Sequence, residues 1–184
     1  MHPLDILKNE HIYINRMFSV AERRLNSARE KDETVIELMN KISDFLVQFD
    51  EFHHEKEENI LFSALLSKQL ADDERMLINK LQMEHESRRD KIKELKKAAT
   101  LNKTTRDSME FAGAMVFHIT ALANQFKRHE ESEEKSLFNL ANKYFSDEEW
   151  RIIGRKFDEV TGEHHFEKLR NFLSEIDAMA SVSH

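Results

Sequence analysis

The chain has no cysteine in its 184 residues. Disulfides and thiolate ligation of a metal are therefore excluded, which agrees with the cytoplasmic location expected here. Proline occurs once, at Pro3, and glycine three times, at Gly113, Gly154 and Gly162. With so few breakers and 34% charged residues, long amphipathic helices are expected and nothing reads as strand. No apolar run approaches the roughly 20 residues of a membrane span. Lys and Arg form no run above the helical background and the net charge is −7, which argues against nucleic acid or an anionic membrane as partner. The first residues, Met1 to Asp5, lack a basic stretch followed by an apolar one, so no signal peptide is expected. Length and the lack of a low-complexity linker predict a single domain over 1–184. Its bundle should span about 4–145, with a further helix over about 147–180.

What is present is a set of apolar seams in steps of three and four. The first reads Leu4, Leu7, His11, Ile14, Phe18, Ala21, Leu25 and fades across Asn26 to Asp32. Helix 2 restarts at Thr34, with Glu37 completing a capping-box pattern, and runs Leu38, Ile42, Phe45, Phe49, His53, Glu57, Ile60. A turn over Ser67 to Ala71 precedes a helix capped by Asp72, whose seam is Ile78, Leu81, His85, Arg88, Ile92, Leu95. After a turn over Thr100 to Thr105 comes Phe111, Met115, His118, Leu122, Gln125, His129, Glu133, Leu137, Leu140. Ser146 to Glu149 is another capping box, opening a fifth helix with Trp150, Ile153, Phe157, Val160, Phe166, Leu169, Leu173 and Ile176. The fold class expected is all-α: an antiparallel up-down-up-down four-helix bundle with an additional C-terminal helix.

Histidines replace core residues in four of these seams. In an antiparallel hairpin, residues equally far from the turn sit at one height. The midpoint of His11 and His53 is position 32, that of His53 and His85 is 69, and that of His85 and His129 is 107. Each falls in or beside a turn, so all four imidazoles should share one level. The stretch Phe52 to Phe62 also returns 76 residues later as Arg128 to Phe138. Both copies carry a His, a Glu four residues on, a second Glu beside it and a Leu-Phe pair. Positions i and i+4 lie on one helix face, so His53 with Glu57, and His129 with Glu133, aim at a common point. The repeat register selects His53 and Glu57 over the alternative pair His54 and Glu58, leaving His54 a supporting or surface residue.

Imidazole plus carboxylate without sulfur suits iron, manganese or zinc. Two metals bridged by Glu57 and Glu133, with one shared oxygen and four histidines, keep about two of twelve six-coordinate positions open, which implies reactivity. The Glu-x-x-His pattern of ferritin-like carboxylate proteins fits only Glu51-His54, and a His-Glu-x-x-His peptidase motif is absent.

Taken together, Asn9-Glu10-His11, His53-x-x-x-Glu57 with Leu61-Phe62, Glu84-His85-Glu86 and His129-x-x-x-Glu133 with Leu137-Phe138 resemble the hemerythrin-like, or HHE cation-binding, domain in its six-ligand form, over about residues 4 to 145. The resemblance implies a four-helix bundle with a non-haem di-iron, oxo- or hydroxo-bridged centre. His11, His53, His85 and His129 would be terminal ligands and Glu57 and Glu133 bridges. It further implies binding of O2, NO or peroxide-level species, in sensing or in oxidative or nitrosative stress response. An enzyme turning over peroxide or NO, a protein repairing iron centres, and an O2 store or carrier are the alternatives. Arg89 stands where oxygen-carrying hemerythrins have a further histidine, and helix 4 carries His-x-x-x-Glu rather than His-x4-Asp. Repair-type relatives have a cysteine-bearing segment that this chain lacks.

Outside that set, His118 with Gln125 lines an access route or is a hydrogen-bonded core residue. Arg88 is expected to pair with a carboxylate, and Tyr13, near His11, to donate a hydrogen bond or an electron to the site. His164 and His165 are expected at the surface or in packing, and Met17 and Met115 as core filler.

Overall fold

The computed structural model describes residues 1–27, 33–101, 108–162 and 164–181. Among them there is no strand. The elements are α1 (Pro3–Asn26), α2 (Glu33–His54), a π-helical segment π1 (Glu55–Phe62), α3 (Ser63–Leu66), α4 (Asp72–Leu101), α5 (Ser108–Ser132), a second π-helical segment π2 (Glu133–Leu137), α6 (Phe138–Tyr144), α7 (Asp147–Thr161) and α8 (His165–Ser181).

The helix starts follow ordinary capping chemistry. Pro3 occupies the first turn of α1, where its missing N–H costs nothing, and the Leu4 N–H donates to the His2 ring. Ser146 and Glu149 form a reciprocal capping box on α7. Asp72 is not a cap: it is already helical, and the N–H of Ala71 donates to the Glu74 carboxylate instead. Thr34 likewise lies inside α2, its hydroxyl accepting from Arg24. Most of the predicted first and third turns lie outside the described residues.

The single C-terminal helix expected from the sequence is two. Gly162 adopts φ 70 and ψ 170, a conformation open essentially to glycine alone, and turns the chain between α7 and α8. α8 then packs against α1 and α2, and α7 against π1 and α1.

The long helices touch in a cycle, α1 on α2, α2 on α4, α4 on α5 and α5 on α1. Their seams bury two apolar clusters. One holds Ile14, Ile42, Phe49, Ile92, Ile119 and Phe126 with Leu169 and Leu173 of α8. The other holds Leu7, Leu61, Phe62, Leu81, Leu137 and Phe138 with Trp150 and Phe157 of α7. Along α1 the chain passes from the second cluster to the first, along α2 and π1 from the first to the second, and α4 and α5 repeat that alternation. A polar layer separates the clusters, because His11, His53, His85 and His129 each fall where their helix crosses from one to the other. On α5 the core positions are Ile119 and Phe126, one residue beyond the predicted His118 and Gln125, which are half-buried. No helix among the described residues is long and apolar enough to cross a membrane.

Candidate metal centre

The two copies of the His-x-x-x-Glu repeat end in the two π-helical segments, of eight and five residues. Hydrogen bonds from residue i to i+5 widen the turn and lower the rotation per residue below the 100° of an α-helix. Residue i+4 thereby swings back toward the direction of residue i. This brings His53 Nε2 3.3 Å from Glu57 Oε1 and His129 Nε2 2.8 Å from Glu133 Oε1.

From α1, His11 Nε2 approaches Glu133 Oε2 at 3.4 Å. From α4, His85 Nε2 lies 3.4 Å from Glu57 Oε2, 3.9 Å from Glu133 Oε1 and 2.8 Å from His129 Nε2. The six side chains singled out in the sequence thus come together, none more than 3% exposed. They form two groups whose donor atoms could each surround one cation: His11, His53, Glu57 and Glu133, and His85, His129, Glu57 and Glu133. The two carboxylates are common to both.

The outer nitrogen of every one of these imidazoles meets a carboxylate. Nδ1 of His53 lies 2.8 Å from Glu10, that of His85 2.7 Å from Glu58, that of His129 2.8 Å from Glu84 and that of His11 3.3 Å from Glu134. A carboxylate can only accept, so each Nδ1 carries the proton and each Nε2 lone pair faces inward, the tautomer a metal ligand needs. The pattern is twofold. In Glu10-His11 and Glu84-His85 the Glu supports the His of the neighbouring repeat. In Glu57-Glu58 and Glu133-Glu134 the second Glu supports the His of α4 or α1. Sequence reasoning had the paired acids in view but weighed Glu58 only as an alternative ligand and gave Glu10, Glu84 and Glu134 no role, because their partners lie on other helices.

At the centre, both oxygens of Glu57, both of Glu133 and Nε2 of His11 are buried without a hydrogen-bond partner among the described residues. Buried anionic oxygens without donors cost several kcal/mol each. Cations between them and the imidazoles remove that cost, so the residues present fit a metal. Without one, protons take the part. Burial opposes charging of His53, but the Glu57 charge beside it and the hydrogen bond to Glu10 outweigh it and raise its pKa to about 10. Burial likewise opposes charging of His129, and the Glu133 charge overrides it, to about 8. Glu133 is held well below the usual range: the surrounding imidazoles, His129 foremost, outweigh its burial.

A third group, His54, Glu58 and His85, has donor atoms within the same reach. Its chemistry differs. Arg88 donates to His54 Nε2, leaving the proton on Nδ1, 3.2 Å from Asp50 Oδ2. Burial, then the Arg88 charge, hold His54 well below its ordinary pKa, so it is neutral with no lone pair free for a cation. His54 is buried and stacks on His85 at 3.8 Å, a supporting residue rather than a surface one. Arg88 meets its carboxylate in Asp50, at 3.6 Å. Beside this trio a pocket of about 330 Å³ is lined by Asp50, His54, Glu58, Arg89 and Ile92.

Of the other predicted candidates, His118 meets the Phe117 ring and Gln125 accepts from Lys91, neither joining the site. Tyr13 packs on Phe166 at 6.0 Å rather than bonding at His11. His164 is exposed and pairs with Glu167. His165 is buried and donates to Glu10, a contact the sequence did not reveal because α8 is distant in the chain.

An all-helical protein with a buried layer of histidines and carboxylates at metal-ligand spacing belongs among the helical cation-binding proteins. Comparison with protein families narrows this: the model of the hemerythrin HHE cation-binding domain matches residues 2–141, and the chain belongs to that family. Neither the curated proteins nor the solved structures gave a match.

Proposed function

We propose that this chain is a non-haem di-iron hemerythrin-like protein that binds O2, NO or a peroxide-level species, in sensing or in protection against oxidative or nitrosative stress. In this reading the four long helices form an antiparallel bundle, as the alternating order of the two clusters along them suggests. His11 and His53 would hold one iron and His85 and His129 the other, with Glu57 and Glu133 within reach of both. The single observation that carries it is the set of unpartnered buried oxygens on Glu57 and Glu133, faced by imidazoles whose outer nitrogens are already committed. Iron held there supplies a one-electron couple and open coordination positions for a small ligand.

The chain's own residues set what can reach the site. Phe49 stacks on His53 at 5.1 Å, Phe62 on His85 at 5.7 Å and Phe138 on His11 at 6.5 Å, so apolar rings exclude water. Enclosure of this kind admits diatomic or similarly small molecules and rejects larger substrates. Glu58 joins His85 Nδ1 to Arg89 at the partly exposed rim, which gives a proton at that nitrogen a way to the surface. Anaerobic loading with ferrous iron should yield two metals per chain, and O2 or NO should then change the near-UV and visible spectrum. A flat spectrum with iron stoichiometrically bound would sink the ligand-binding reading. Steady consumption of peroxide or NO with a reductant would mark an enzyme instead.

A further inference from the structure

The twofold pattern of supporting carboxylates is broken at one place. Glu10 and Glu84 hold equivalent positions, each directly before a site histidine and each on the Nδ1 of the next repeat's histidine. Glu84 is 31% exposed and its other oxygen meets, among the described residues, only Lys80, at the surface. Glu10 is fully buried. Its Oε2 accepts from His53, and its Oε1 accepts from Lys56 and, at 2.6 Å, from His165. Lys56 belongs to the first repeat, and Ser132 fills its place in the second. His165 belongs to α8, beyond the residues matched by the family. Phe52 fixes both donors: its ring meets His165 edge-on at 4.7 Å, and the Lys56 ammonium sits 5.3 Å from its centroid.

We propose that His165 is a positioning residue for His53, acting through Glu10, so that the C-terminal helix sets how firmly one of the two metals is held. This rests on the proposed role of His53 as a ligand. With two donors on Oε1 the carboxylate has one orientation, and Oε2 is fixed on Nδ1 of His53. Without His165 the group can turn about Lys56, and the imidazole loses its orientation. The effect falls on the His11–His53 half alone, since His85 and His129 are supported by Glu58 and Glu84.

The test compares the unaltered protein with His165→Phe, which keeps the contact with Phe52 but cannot donate, and His165→Gln, whose amide can. Each is loaded anaerobically with ferrous iron and challenged with excess ferrous chelator. Loss of an outer carboxylate contact weakens a metal site about 10- to 100-fold. In His165→Phe the Glu10 contact is loosened rather than removed, so one of two release phases should accelerate by up to about tenfold and the other stay unchanged. His165→Gln should restore it. His165→Asn, too short to reach Glu10, serves as the second deletion should Phe prevent folding, with helicity checked by circular dichroism. A deletion variant that lowers the melting temperature yet releases both metals at the original rates would overturn the proposal, as would equal acceleration of both phases. Failure of the unaltered protein to bind iron would instead remove the metal reading beneath it.

Discussion

Arg88 illustrates how much a single side chain can be committed in this interior. It is fully buried, its guanidinium 4.2 Å from the Phe126 ring, and its only carboxylate neighbour among the described residues within 4 Å is Asp50. Breaking a buried pair by removing one partner costs about 3–5 kcal/mol, since the other charge is left uncompensated. Arg88→Met should therefore lower the unfolding free energy by an amount of that order, read as a lower urea midpoint at unchanged slope, while Asp50→Asn made together with it should recover part of the loss. At the metal layer the expected readout is occupancy rather than stability. His85→Ala removes an imidazole that faces both carboxylates. The metal-to-protein ratio should fall below that of the unaltered chain, and an unchanged ratio would strike His85 from the ligands. The six central residues were legible in the sequence because a histidine in an apolar seam is anomalous and the repeat fixes the register. Glu10, Glu58, Glu84 and Glu134 were not, since each stands beside a central residue in the chain but serves a different one in space.

Among the elements, periodicity and capping residues reported the helices, while deviations from ideal geometry left no trace in the pattern. π1 and π2 arise where the repeat must aim a histidine and a glutamate at one point, a tertiary demand that hydrophobic steps of three and four do not encode. The break between α7 and α8 was visible as Gly162 but outweighed by the continuing seam from Phe157 to Leu169. Gly162→Ala should destabilise the fold by about 1–3 kcal/mol, because its φ of 70 strains any residue with a Cβ. The elements are also tied by charge at their ends. Hydrogen bonds from Lys143, Tyr144 and Ala71 lower Glu74 to about 2, and those from Lys68 and Ser146 lower Glu149 to about 2. A carboxylate whose pKa is lower in the folded chain stabilises it above its ordinary value of 4.5, and that contribution is lost as pH falls toward 2. The double variant Glu74→Gln, Glu149→Gln should thus be less stable than the parent near neutrality and converge on it in acid. A gap that stayed constant from pH 5 down would show that these contacts carry no linked stability.

For the molecule as a whole, the consequence of a polar layer between two apolar clusters is that cohesion across it depends on what fills the centre. Above and below, Phe126 and Leu137 belong to ordinary close-packed interiors. Between them, the oxygens of Glu57 and Glu133 have no hydrogen-bond donor among the described residues. A ligand that binds only the folded state stabilises it by RT ln(1 + [L]/Kd), about 2.7 kcal/mol at a hundredfold excess over Kd. Metal loading should raise the urea midpoint accordingly with the slope unchanged. Where that stabilisation appears is also set by the architecture. π1 and π2 carry the bridging carboxylates and the less regular i-to-i+5 hydrogen bonds, so they open most easily when the centre is stripped. Ile42 and Ile119 lie in the first cluster, away from the layer. Amide exchange followed before and after chelation should show protection lost first over Glu55–Phe62 and Glu133–Leu137 and little changed around Ile42 and Ile119. A uniform loss along all the helices would mean instead that the two clusters unfold as one unit, with the centre acting on the whole stability rather than on its own layer.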